Sequence, residues 1–107
     1  MQMPSRTRTG QRGEQRAAQR LRGAGRRVKR SPGSLGPYDL AATKPRSKWQ
    51  VQVKASEGLH PDWPSREEIA RLIRSANSAG ATPIVAQVPG RGELVFRSAR
   101  NRRKMRP

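Results

Sequence analysis

Four polar residues have the types and spacing that phosphodiester chemistry needs: Glu14, Asp39, Gln52 and Lys54. Gln52 and Lys54 lie two apart in Trp49–Lys54, where Trp49, Val51 and Val53 alternate with Gln50, Gln52 and Lys54. In a strand, that spacing projects both side chains from one face of the sheet. Carboxylates such as Asp39 and Glu14 can hold Mg²⁺, or Mn²⁺ in its place. The metal then polarises a phosphate and activates a water, and an ammonium such as Lys54 neutralises charge developing on the phosphoryl oxygens. Gln52 can add a carbonyl oxygen, a neutral and weaker ligand than a carboxylate. A bland reading of the same residues makes Lys54 an exposed strand lysine and Asp39 a turn-closing cap.

These residues depend on the elements around them. Gln11–Arg22 places Ala17, Ala18 and Leu21 at helical spacing, with Gly23 to stop it, so Glu14 is expected on a short amphipathic helix. That helix is expected to pack across the face carrying Gln52 and Lys54. Arg27–Arg30 reads as a short strand around Val28, and Ser31–Pro37 as a loop packed with turn residues. Tyr38–Ala42 and Trp49–Lys54 form the two strands of an expected antiparallel hairpin, turning through Thr43–Lys48. Ser65 and Glu68 form a capping box that opens a second helix, whose stripe is Ile69, Leu72, Ile73 and Ala76 and whose stop is Gly80. Thr82–Val88 and Glu93–Arg97 complete the set as strands. The order is αβββαββ, an α/β architecture with a mixed sheet flanked by helices.

Composition taken alone points elsewhere. The 107 residues carry 24 Lys and Arg against seven Asp and Glu, a net charge of +17. Few Leu, Ile, Val and Phe accompany that charge, the profile of a disordered polycation. Its distribution corrects this impression: residues 1–30 hold +9, residues 100–107 hold +5, and the middle is almost neutral. A domain over residues 10–99 is expected, with a disordered basic arm at 1–9 and a basic tail at 100–107. The absence of Cys excludes a disulfide scaffold, a thiol nucleophile and the usual zinc modules, and a single His excludes any two-histidine mechanism. No stretch is apolar enough for a membrane span, and Met1–Gly10 is too polar for a signal peptide. An anionic partner is expected, nucleic acid ahead of a membrane surface. Arg12, Arg16, Arg27, Lys29 and Arg30 are the candidate phosphate contacts, together with the arms.

The run Arg30-Ser31-Pro32-Gly33-Ser34-Leu35-Gly36-Pro37-Tyr38-Asp39-Leu40-Ala41-Ala42, followed by Trp49-Gln50-Val51-Gln52-Val53-Lys54, resembles the active-site hairpin of the archaeal-type Holliday junction resolvases. Those enzymes belong to the PD-(D/E)xK nuclease superfamily. There an Arg-Ser-x-Gly-Ser loop precedes an Asp-hydrophobic-hydrophobic-Ala strand, and a Glu-Val-Lys strand follows. The resemblance spans roughly residues 10–96 and implies a restriction-endonuclease-like core. It also implies a Mg²⁺-dependent endonuclease that acts on branched or double-stranded DNA as a homodimer. By position, Glu14 matches the helix-borne metal ligand, Asp39 the central one and Lys54 the motif lysine. Ser34 matches the small loop residue near the scissile phosphate, and Arg30 a phosphate-binding position. Two departures stand out: the loop before Asp39 is one residue longer than is typical, and Gln52 replaces the usual Glu. Virus-type repeat (VRR) nucleases within the superfamily carry Gln there. A VRR-type nuclease acting on other DNA structures is therefore an alternative, and so is a non-catalytic nucleic-acid-binding protein on the same fold.

Other residues have milder readings. Trp49 is expected in the core with Val51 and Val53, while Trp63 lies in a loop and its role is open. His60 is expected to be a bystander. Glu57, three residues beyond Lys54, is a candidate for the missing carboxylate. The Ile69–Ala76 stripe serves either the core or a dimer surface, and a core this small gains from a second copy. By analogy with compact basic nucleases, a phage or prokaryotic cytoplasm is the expected setting.

Overall fold

The computed structural model describes residues 5–31 and 36–107. The first helix, α1 (Ser5–Gly23), buries Ala17, Ala18 and Leu21 and exposes Arg and Gln between them. It starts six residues before the expected Gln11. Elongating a helix that a packed stripe already anchors costs little per residue, so Ser5–Thr9 of the expected disordered arm joins it despite its Ser and Thr, and Gly10 is carried within it. Arg20 and Arg22 lie in the last turn, where cations suit the helix dipole. Gly25, at φ 88°, turns the chain out of the helix, and the Arg26 amide donates back to Leu21 at 3.0 Å.

Strand β1 (Arg27–Arg30) pairs antiparallel with β2 (Leu40–Lys44), and β2 pairs antiparallel with β3 (Ser47–Ala55). The β2–β3 hairpin closes on the two residues Pro45 and Arg46. Its strands therefore run closer to the turn than Tyr38–Ala42 and Trp49–Lys54 would imply. Helix α2 (Arg66–Ala79) then carries the chain to β4 (Thr82–Val88), which lies parallel to β3. Strand β5 (Val95–Ser98) pairs antiparallel with β4 and starts two residues later than expected. The sheet order is β1-β2-β3-β4-β5, with β3/β4 as its parallel pair. The expected αβββαββ order and mixed sheet are therefore observed.

The two sheet faces differ in kind. One packs Leu40, Ala42, Trp49, Val51, Ile84, Ala86, Val88 and Phe96 against Ala17, Ala18 and Leu21 of α1. The other packs Val85 and Ala99 against Leu72 of α2, with Tyr38, Trp63, Ile69 and Ile73 around them. This is a correction to the expected placement of α1. Alternation along β3 sends Trp49, Val51 and Val53 toward α1, so Gln52 and Lys54 point to the α2 side instead.

The C-terminal segment does not hang free. Lys104 bridges to Arg97, the Met105 amide donates to Phe96 O at 2.8 Å, and Met105 packs on the α1-side core. The solvated arm expected over residues 100–107 is thus docked beyond β5, because the open edge of that strand offers it unpaired backbone groups.

Candidate active site

Asp39 stands immediately before β2, where the ladder with β3 ends. Its amide donates to Val51 O at 2.8 Å, and its Oδ2 accepts from the Val53 amide at 2.7 Å. The side chain thus caps a β3 donor that no β2 carbonyl reaches, and this holds the carboxylate at the end of the strand pair. Burial pushes the Asp39 carboxyl above its ordinary range. The Val53 N–H and the Lys54 ammonium pull it down, while Glu68 adds repulsion.

Gln52 and Lys54 converge on one atom. Glu68 Oε2 accepts from Gln52 Nε2 at 2.6 Å and from Lys54 Nζ at 3.0 Å. Glu68 is the N3 residue of α2: its Oε1 accepts from the Ser65 amide at 3.1 Å, and its own amide donates to Ser65 Oγ at 3.1 Å. Burial alone would raise the Glu68 carboxyl. The Ser65 N–H, Lys54 and Gln52 outweigh it and hold the group down at about 2. Gln52 Oε1, the other end of the amide, is buried and has no hydrogen-bond partner.

Glu14 approaches from the α1 side. Burial raises its carboxyl, the neighbouring Asp39 charge raises it further, and Arg30 partly offsets both. Two carboxylates thus feel each other at the sheet end, one on α1 and one before β2. The residue before Glu14 sets how close the helix can come. A Cβ on Gly13 would lie 2.6 Å from Ala55 Cβ, a separation that real side chains do not tolerate.

The expected residues Glu14, Asp39, Gln52 and Lys54 therefore gather around the C-terminal end of β3, from both faces of the sheet. Ser34 lies outside the described residues. The expected basic contacts divide into two groups. Arg27, Lys29 and Arg30 are exposed along edge strand β1. Arg12 and Arg16 line a cavity of about 340 Å³ between α1 and the β3 and β4 ends, where Arg16 donates to Pro89 O. Glu57 lines that cavity too and accepts from Thr9 Oγ1 at 3.2 Å. None of Glu14, Asp39, Gln52 and Lys54 lines it.

The carboxylate beside Gln52 is Glu68, which sequence reasoning assigned only to helix capping. Its one sequence signal, the capping box, places Glu68 at the start of α2 but gives no link to β3, from which ten residues separate the helix. Trp49 is 4% exposed and sits under the Arg26 guanidinium at 4.0 Å, which places it in the core as expected. Trp63 is covered by Arg102 at 4.7 Å, and His60 is exposed in its loop.

A family model described as archaeal Holliday junction resolvase (Hjc) matches residues 5–106. The chain belongs to the archaeal Holliday junction resolvase family. A solved structure similar to this family member is that of Hjc from Archaeoglobus fulgidus at 1.6 Å resolution, a Holliday junction resolvase from an archaeal hyperthermophile. The two are 28% identical with a TM-score of 0.75, over 85% of this chain and 78% of the other. The fold of this Hjc-family chain is accordingly restriction-endonuclease-like. No curated protein matches. Among the described residues, no helix is long and apolar enough to cross a membrane.

Proposed function

We propose that the chain is a metal-dependent, structure-selective endonuclease that hydrolyses phosphodiester bonds at four-way DNA junctions. The observation that carries this reading is the Asp39 carboxylate, held by the Val53 N–H where Glu14 approaches from one face and Gln52 and Lys54 from the other.

The donor chemistry fits a hard divalent cation. Asp39 and Glu14 are both disfavoured as anions by burial, and Asp39 further opposes ionisation of Glu14, which a cation would relieve. Gln52 Oε1 is a buried acceptor with nothing to accept from. Among the described residues no group of three or more His, Cys, Asp or Glu side chains could hold a metal ion. The set is therefore two carboxylates and an amide oxygen: Asp39, Glu14 and Gln52. When bound, Mg²⁺ or Mn²⁺ would supply Lewis acidity toward the phosphoryl oxygens. Lys54, kept in place by Glu68, presents an ammonium to charge developing on the same oxygens. Arg30 and the other exposed cations of β1 bind neighbouring phosphates, which positions the strand without reading its bases. A homodimer would cut two symmetrically related strands of a junction. In the Ile69–Ala76 stripe, Leu72 and Ala76 are buried in the monomer, while Ile69 and Ile73 are only half-buried on the α2-side core and keep apolar surface that a second copy would cover.

Incubation with four-way junctions, duplexes and single strands in Mg²⁺ or Mn²⁺ tests this reading. Junctions are expected to be cut preferentially, D39N to abolish cutting, and K54A to slow it about 100-fold or more. One observation favours a second reading, a non-catalytic junction-binding protein: the neutral Gln52 leaves the metal ligands one charge short. Tight junction binding without Asp39-dependent cleavage under any metal would establish that alternative.

A further inference from the structure

We propose that Glu68 is a positioning residue of this site: it fixes the Gln52 amide with Oε1 toward the metal ligands and returns, one residue removed, the negative charge that Gln52 lacks. The inference rests on the metal-site reading above.

The geometry leaves little freedom. Glu68 Oε2 lies 2.6 Å from Gln52 and 3.0 Å from Lys54. A carboxylate oxygen can only accept, so the amide must turn Nε2 toward Glu68. Oε1 is then forced to the opposite side, where it is buried and unpartnered. Glu68 itself cannot swing away easily, because Oε1 is engaged by the Ser65 amide and its backbone by Ser65 Oγ. The helix cap thus clamps the carboxylate, the carboxylate orients the amide, and the amide presents its carbonyl. A Gln at position 52 without such an acceptor could present either end. The same oxygen draws the Lys54 ammonium into line, so one residue orders both strand side chains. Outer partners that orient metal ligands in this way are typically worth about 10–100-fold in metal affinity.

The test is Mn²⁺ affinity, read from the free Mn²⁺ signal in electron paramagnetic resonance, for the wild type, E68Q, Q52E/E68Q and D39N. E68Q keeps a residue that serves a capping box, so α2 retains its N-terminus. Far-UV circular dichroism and a thermal melt in EDTA check that each variant is folded. E68Q is expected to weaken Mn²⁺ binding about 10-fold or more. The exchanged pair Q52E/E68Q restores the charge, with an amide on α2 now donating to a carboxylate on β3. With a charged oxygen now at position 52, it is expected to bind Mn²⁺ at least as tightly as the wild type. Junction cleavage should follow the same order. Unchanged affinity in E68Q, with D39N still losing the metal, would overturn the role of Glu68 and leave the site intact. A loss in E68Q that the exchange fails to recover would also overturn it, since Glu68 would then not act through Gln52. Metal binding that survives in D39N would remove the site itself.

Discussion

Asp39 completes a backbone ladder as an acceptor, yet it does so where burial and a nearby Glu68 oppose its charge. A carboxyl whose folded pKa is raised favours the folded state when protonated, fully so below its ordinary value of 3.8, and loses that benefit as pH rises through the folded pKa. Asp39→Asn mimics the protonated form and keeps an oxygen for the Val53 N–H. In metal-free buffer at neutral pH the variant should melt a few degrees higher than the wild type while cutting no DNA. The difference should shrink as the pH falls toward 3.8. Thermal melts in EDTA across that range check it, and a variant less stable at neutral pH would contradict the placement of the Asp39 charge. Asp39 and Lys54 were legible because the ordered motif around them resembles a known active-site hairpin, whereas their types and spacing alone fit a turn cap and a strand lysine equally well. Glu68 was not, since an N3 glutamate already has a sufficient local explanation in the capping box.

At the scale of elements, the contact that matters most for the site is the close approach of α1 to the end of β3 at Gly13 and Ala55. Elsewhere in a helix, Gly→Ala gains up to about 1 kcal/mol in propensity. Gly13→Ala should instead destabilise the protein by roughly 1–3 kcal/mol through overpacking, and should displace Glu14 from Asp39. Chemical denaturation and junction cleavage measure the two effects. The compensating pair Gly13→Ala with Ala55→Gly should recover most of both, and failure to recover would show that the contact does not hold α1. Element types and order could be read from the chain, since stripes, caps and alternation are local properties. The face that α1 covers could not, because two helices divide the two faces of the sheet and no local stretch says which helix takes which. The choice follows from which side chains need burial: Trp49, Val51 and Val53 form the apolar face, and the Ala17, Ala18 and Leu21 stripe joins them.

At the scale of the whole molecule, +14 of the +17 charge belongs to the first thirty and last eight residues. The terminal stretch is docked rather than loose, but Arg103 and Arg106 remain exposed along it. Each Arg that neutralises a phosphate adds about 0.9 to the slope of log affinity against log salt on duplex arms. Replacing both by Ala should therefore lower that slope by about 2 units, with cleavage at saturating DNA unchanged. Junction binding titrated at several salt concentrations gives the slope. An unchanged slope would mean that the docked segment faces away from DNA.

The amino-acid sequence by itself determined the elements, the basic termini, the hairpin that carries Asp39, Gln52 and Lys54, and the resemblance that the family match supports. Each of these is a matter of local spacing, composition or ordered motif. Only the tertiary structure decided that Gln52 and Lys54 face α2, that Glu14 reaches Asp39 from the other side of the sheet, and that Glu68 receives both strand residues on one oxygen. Those outcomes depend on how two helices divide the faces of one sheet. That division comes from the competition of apolar stripes for burial, which no single stretch of the chain contains.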